Sequence, residues 1–156
     1  MREIQLEAIG TVKNGRHSTA DAGWGAVESV IELRPEFASG LDGLDAFSHV
    51  VVLFYMHLDP DREPLTLRRR PRGRADMPEL GVFAQRGRMR PNPVGITTVE
   101  IVRVEPGRLT VRGLDAVDGT PVIDLKPYAP AFDRPDSPRV PEWLTRLMRG
   151  YFEADR

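Results

Sequence analysis

The sequence predicts a mostly β domain, a small antiparallel β-barrel with a long loop and a C-terminal helix. Short runs rich in Val and Ile recur along the chain, each bounded by Gly, Pro or Asp. A helical period is clear at only one place, near the C-terminus. Seven short strands in one domain favour a closed or nearly closed barrel, because closure removes exposed edges. At 156 residues the chain reads most simply as one domain with room for a sizeable core. Residues 1–135 form the barrel, and residues 136–156 form a helical extension of the same domain.

In chain order, strands are expected at 3–13, 24–33, 47–57, 80–84, 97–105, 108–113 and 121–126. Alternation is cleanest over 108–126, where Leu109, Val111, Val122 and Asp124 stand against more polar or opposite-facing neighbours. Pro106 and Gly107 suit the two central positions of a type II turn, so 104–108 is a tight hairpin connection. The stretch 59–77 has many charges and little period, and reads as a long mobile loop. Pro141 suits the first turn of a helix that places Trp143, Leu144, Leu147, Met148 and Tyr151 on one face. That face lies over the barrel or meets a second copy of the chain.

Charged residues are 29 % and hydrophobic ones 40 %, ordinary values for a soluble globular protein. With no cysteine, disulfides, thiol nucleophiles and Cys-based zinc sites are excluded. The N-terminus interrupts its apolar positions with charges and carries no secretory segment. The longest apolar run, 50–56, is far too short to span a bilayer, so a soluble cytoplasmic location is expected. His17, His49 and His57 show no metal-ligand spacing, and no metal is expected. Ser48 and His49 lack a nucleophile elbow, and neighbours on a strand face opposite ways, so they do not read as a hydrolase pair.

The net charge is −1, but its distribution is uneven. Among 22 basic residues only Lys13 and Lys126 are lysines, and six arginines fall between Arg62 and Arg74. Guanidinium forks suit phosphate and carboxylate oxygens. The cluster is either an anion- or RNA-facing loop or a solvated one. Arg68, Arg70 and Arg72 are its candidate substrate contacts.

Two turn-rich motifs, 81–95 and 113–130, place charged side chains between residues that fix backbone shape. Pro91 and Pro93 lock φ on either side of Asn92. Gly95, Gly113 and Gly119 permit conformations that a side chain forbids. Such stiffening suits a loop that holds Arg86, Arg90 and Asn92 against a small charged ligand, and Arg90 and Asn92 are further candidate substrate contacts. Lys126 and Asp124 share a strand face, so Lys126 is either an ion-pair partner or a substrate contact. Spacing alone suggests only an anion-binding barrel.

Phe47-Ser-His, Gly81-Val-Phe-Ala, Arg90-Pro-Asn-Pro-Val-Gly, Leu114-Asp-Ala-Val-Asp-Gly-Thr-Pro and Asp124-Leu-Lys-Pro-Tyr resemble the TsaA-like family, also called YaeB or TrmO-like. Ile9-Gly-Thr-Val near the start fits as well. The resemblance covers residues 6–133 or thereabouts. It implies a small β-barrel, usually a homodimer, that binds S-adenosylmethionine (SAM). It also implies tRNA as partner, with no membrane or DNA, because characterised bacterial members methylate threonylcarbamoyl-adenosine next to the anticodon.

By the same resemblance, Arg86 takes the place of the family arginine that engages the SAM carboxylate or shapes its loop. Ile96 takes that of a backbone and apolar contact to adenine. Leu114, Asp115, Ala116 and Val117 correspond to the second cofactor loop, and His57 and Leu58 to a third contact. A fourth contact comes from an N-terminal loop that is Pro/Gln-rich in the family. Here that loop reads Ser18-Thr-Ala-Asp-Ala-Gly-Trp24, and Asp21, Ala22 and Gly23 are its candidates.

SAM carries a carboxylate, a sulfonium, a ribose diol and a flat adenine, so it needs cationic or amide donors, carboxylate or carbonyl acceptors, and an apolar slot. The motifs supply all three. Methyl transfer needs in-line alignment, which positioning alone can provide. A carboxylate or carbonyl nearby can take the proton of the acylated nitrogen as it attacks. Asp115, Asp118 and Asp124 are candidates that the sequence does not rank, so the catalytic residue is unassigned. Two alternatives stand beside a tRNA methyltransferase: a SAM enzyme with a different acceptor, and a non-catalytic nucleotide- or RNA-binding barrel.

Overall fold

Strand direction decides where everything else goes. The computed structural model describes residues 3–58 and 65–153. The strands are β1 (Gly10–Lys13), β2 (Glu28–Leu33), β3 (His49–Tyr55), β4 (Arg68–Arg69), β5 (Leu80–Gly81), β6 (Val94–Glu105), β7 (Arg108–Arg112) and β8 (Pro121–Pro127). Six of them close into a barrel in the order β1-β2-β7-β6-β3-β8, and every neighbouring pair is antiparallel. β4 and β5 form a separate two-stranded ribbon. The expected seventh barrel strand is therefore corrected: 80–84 is a strand only at Leu80–Gly81 and then tightens into a 3₁₀ turn at Val82–Ala84.

The period of two picks the core. Val12, Ile31, Val50, Val52, Phe54, Val99, Leu109, Val111 and Val122 point inward and make one buried cluster with Leu41, Leu114 and Ala116. Two register shifts bend the wall, one in β6 between Ile101 and Arg103 and one in β3 at Leu53/Phe54 against β8. Gly107 has φ +69°, as the expected type II turn between β6 and β7 requires.

Two expected strands begin later than their apolar pattern suggests. Residues 3–9 lie outside β1, with Ile4 79 % and Leu6 61 % exposed, and 24–27 lie outside β2. β6 instead begins three residues early, because Val94 pairs with Tyr55 at the far end of β3. The expected mobile loop 59–77 is also corrected for its described part. Arg68–Arg69 is β4, Pro71 and Met77 are buried, and Arg70 donates to the Met77 carbonyl. Residues 59–64, with Arg62 among them, lie outside the described residues.

Because neighbours alternate in direction, β1, β3 and β7 run toward the same end. The three connections that follow them, 14–27, 56–93 and 113–120, therefore gather there. The chain leaves β8 at the opposite end and returns through α1 (Pro130–Asp133) and α2 (Glu142–Leu147). Its return is anchored where Trp24 N donates to the Tyr151 carbonyl at 3.3 Å. Gly25 faces the Phe152 carbonyl so closely that a Cβ would overlap it.

Gly95 is the tightest point of the wall below that end. A Cβ there would collide with the ring of Phe54, its partner on β3. Gly95→Ala is expected to lower stability by about 1–3 kcal/mol, read from the midpoint of denaturant unfolding. An unchanged midpoint would mean that Phe54 swings clear.

Candidate functional site

The three connections and the returning C-terminal segment enclose a cleft of about 1030 Å³. Phe54, Val82, Gly95 and Leu147 give it a buried apolar floor. Asp115 is among its lining, held by two side chains. Thr97 Oγ1 donates to Asp115 Oδ1, and the Tyr151 hydroxyl donates to Oδ2 at 2.9 Å. Burial raises the Tyr151 phenol well above its ordinary value, and the Asp115 charge raises it further.

The walls are held by arginine and glutamine. Arg86 Nη2 donates to the Ile96 carbonyl at 2.8 Å, tying the 82–90 turn to β6. Gln85 Nε2 donates to the carbonyls of Arg69 at 2.9 Å and Leu80 at 3.1 Å, fixing the same turn to the ribbon. Arg72 pairs with Asp21 at 3.0 Å and lies 5.6 Å from the Tyr151 ring centre. Its φ of +53° is rare for a side-chain residue. His57 Nδ1 is buried and has no hydrogen-bond partner among the described residues.

Of the residues chosen from the sequence, Asp21, His57, Leu58, Arg72, Arg86, Arg90, Ile96, Asp115, Ala116 and Val117 all line this one cleft. The others are placed elsewhere. Leu114 is fully buried in the barrel core. Ala22 and Gly23 turn their carbonyls to Arg16, whose guanidinium also takes those of Ser18 and Ala20 and lies 3.6 Å over Trp24. Asn92 is exposed outside the cleft lining, and its carbonyl accepts from Val94 N at 2.8 Å. Arg68 lies beside Glu79 at 3.6 Å, and Arg70 caps the Met77 carbonyl.

Lys126 pairs with Asp124 at 2.7 Å near the opposite end of β8, so the ion-pair reading holds and the Asp124 carboxylate raises the lysine pKa. Asp118 accepts from the backbone of Asn14 at 2.8 Å and Gly15 at 3.0 Å, which holds its carboxyl below the usual range. Of the three carboxylates, only Asp115 reaches the cleft. Ser48 Oγ and His49 Nδ1 do meet, at 2.8 Å, because Ser48 precedes the strand and escapes its alternation. They sit at the barrel end away from the cleft.

Four residues were missed: Arg16, Trp24, Thr97 and Tyr151. Thr97 sits at an inward position of β6, a signal open to reading. Tyr151 was visible only as one apolar position of a helical stripe. That stripe faces the chain's own cleft, with Trp143, Leu144, Leu147 and Met148 among its lining.

The family model described as the tRNA-methyltransferase O N-terminal domain matches residues 18–134. The chain belongs to the tRNA-methyltransferase O (TrmO) family. It is 44 % identical over 131 residues to a probable S-adenosyl-L-methionine-binding protein of Methanothermobacter thermautotrophicus, covering 81 % of this chain and 90 % of that one. It is also 44 % identical over 110 residues to the putative S-adenosylmethionine-dependent methyltransferase RcsF of Pseudomonas aeruginosa, covering 69 % and 45 %. The crystal structure of TrmO from Pseudomonas aeruginosa superposes with a TM-score of 0.72 at 32 % identity, over 88 % of this chain and 61 % of that one. The chain thus spans most of the archaeal relative but about half to three-fifths of the Pseudomonas proteins. Tyr151 and α2 lie beyond the segment that the TrmO family model matches.

The Tyr151 phenol should report its setting directly. Below pH ~10 it is protonated in both folded and unfolded chain; above that the unfolded chain releases the proton first. Its stabilising contribution is therefore complete below pH ~10 and is lost as pH rises further. The absorbance titration of the folded chain minus that of Tyr151→Phe should show a phenol ionising well above pH ~10. A difference transition at or below the ordinary phenol value would place Tyr151 in water.

Proposed function

We propose that this chain is a SAM-dependent methyltransferase that acts on the exocyclic nitrogen of threonylcarbamoyl-adenosine beside the anticodon of tRNA. The observation that carries this reading is the single cleft that joins Arg86, Ile96 and the 115–117 loop with His57 and Asp21. Small-molecule pockets occupy roughly 300–1,000 Å³, so this volume leaves room for a cofactor and a nucleobase together.

The residues present fit the cofactor. Ile96, Ala116 and Val117 offer an apolar slot, and Asp115 a carboxylate for hydroxyl or cationic groups. The orphaned Nδ1 of His57 is a buried polar atom that a ligand group would satisfy. SAM, when bound, supplies the electrophilic methyl group. Arg86 holds the Ile96 carbonyl and so sets the shape of the slot, the loop-shaping role of the two foreseen for it. Asp115, oriented by Thr97 and Tyr151, is also the remaining candidate to accept the proton of the attacking nitrogen.

Incubation with labelled SAM and total tRNA from a strain lacking its own enzyme, followed by nucleoside mass spectrometry, tests the activity. A methyl on the threonylcarbamoyl-adenosine is expected. SAM binding with no methylated tRNA would point to another acceptor or to a non-catalytic barrel. Arg86→Ala is expected to weaken SAM binding in calorimetric titration, because the slot loses the bond that holds the Ile96 carbonyl in place. Unchanged affinity in the folded variant would remove Arg86 from the site.

The arginines of the ribbon divide. Arg68→Ala should flatten the log–log salt dependence of tRNA affinity by about 0.7–0.9 and leave SAM affinity unchanged. Arg72→Ala should lower SAM affinity as well, because Arg72 lines the cleft and pairs with Asp21. Equal SAM affinities for the two variants would detach Arg72 from the cofactor site.

A further inference from the structure

Phe83 is 78 % exposed at the mouth of the cleft, one residue after the buried Val82. It does not sit on a loose loop. Val82 N donates to the Leu67 carbonyl at 3.0 Å, Gln85 N donates to the Val82 carbonyl at 3.2 Å, and the Gln85 side chain bonds both ribbon strands. Buried Val82 therefore anchors a turn that holds the neighbouring ring out into solvent. Keeping a large aromatic ring exposed on a rigid turn forgoes the stabilisation that its burial would contribute. A single exposed ring is ordinary on a protein surface, but one held rigidly beside a ligand-sized cleft is placed to contact whatever enters it.

The charge around it says what. The described residues lining the cleft include five arginines, at 69, 72, 86, 88 and 90, against two aspartates, Asp21 and Asp115. The whole chain has a net charge of −1, so cationic charge is concentrated at this opening. A positive groove bearing an exposed aromatic ring is the surface that single-stranded nucleic acid recognises, phosphates on the arginines and a base on the ring. A duplex does not fit, because its bases are already stacked on one another.

We propose that Phe83 is a stacking platform for an unpaired base of the anticodon loop, next to the nucleotide that enters the cleft. The proposal rests on the tRNA reading above and adds the subsite that reading lacks. Phe83 is largely exposed while Ala116 and Val117 of the apolar slot are buried, so the ring serves the macromolecular substrate rather than SAM. Its apolar face accepts any base, which gives affinity and register; identity is read inside the cleft.

The test is binding, independent of methyl transfer, with the full chain and a fluorescently labelled anticodon stem-loop RNA of unmodified sequence. Phe83→Ala is expected to weaken RNA binding about 5- to 150-fold, the range for one base–aromatic stack. Phe83→Leu, apolar but without a π face, should lose nearly as much, and Phe83→Trp should restore it. SAM affinity and oligomeric state should stay as in the wild type. A 2-aminopurine placed at each loop position in turn should be quenched at one of them by the wild type and not by Phe83→Leu.

Equal RNA affinity for wild type and Phe83→Ala would overturn the platform and leave the tRNA reading standing. No RNA binding by the wild type at low salt would overturn both. A fall in SAM affinity alone would make Phe83 a cofactor contact, and a change in oligomeric state would make it a contact between copies; either result overturns the proposal.

Discussion

Antiparallel closure of six strands is the constraint on which the rest of this molecule depends. Once each strand must run against both neighbours, every second connection returns to the same end. The segments after β1, β3 and β7 then meet at one end, where contacts such as Arg72 with Asp21 and Asp118 with Asn14 fasten them together. They come from positions as far apart as Asp21, His57, Arg86 and Asp115, yet they line one cleft. Closure also excuses the barrel from protecting its edges, so the loops at that end are free to carry charge.

Asp115 is the point where this convergence becomes chemistry. One of its oxygens is taken by Thr97 of β6, the other by Tyr151 from the far end of the chain. Neither donor alone would orient the carboxylate; together they fix its plane. The barrel wall supplies one and the returning segment the other, so cleft geometry is coupled to docking of the C-terminal stretch. Gly25 makes that docking possible, because only a residue without a Cβ fits beneath the Phe152 carbonyl.

Much of the β pattern was legible because burial writes itself into period-2 alternation, as in Leu109 and Val111 or Val50 and Val52. Where burial depends on a distant partner, the pattern misled. Ile4 and Leu6 alternate as strand residues do, but β1 pairs only from Gly10 onward. Val82 to Ala84 reads as strand from composition, but Gln85 bonds backbone on both sides and tightens it into a turn. The arginine-rich stretch looked mobile because local charge hides Met77, a residue that is almost fully buried.

The sequence by itself determined the barrel, the two motif loops and the family, because these rest on residue types and on spacings within single segments. It also marked Arg86, Ile96 and Asp115 as cofactor-loop candidates, through the places they take in the family's motifs. Only the tertiary structure decided between Asp115, Asp118 and Asp124, since the three carboxylates differ in partners rather than in local sequence. Asp118 accepts from two backbone N–H groups on its Oδ1, and Asp124 faces Lys126 near the opposite end. The part played by Tyr151 was equally hidden, because a hydrogen bond spanning 36 residues leaves no periodic trace at either partner.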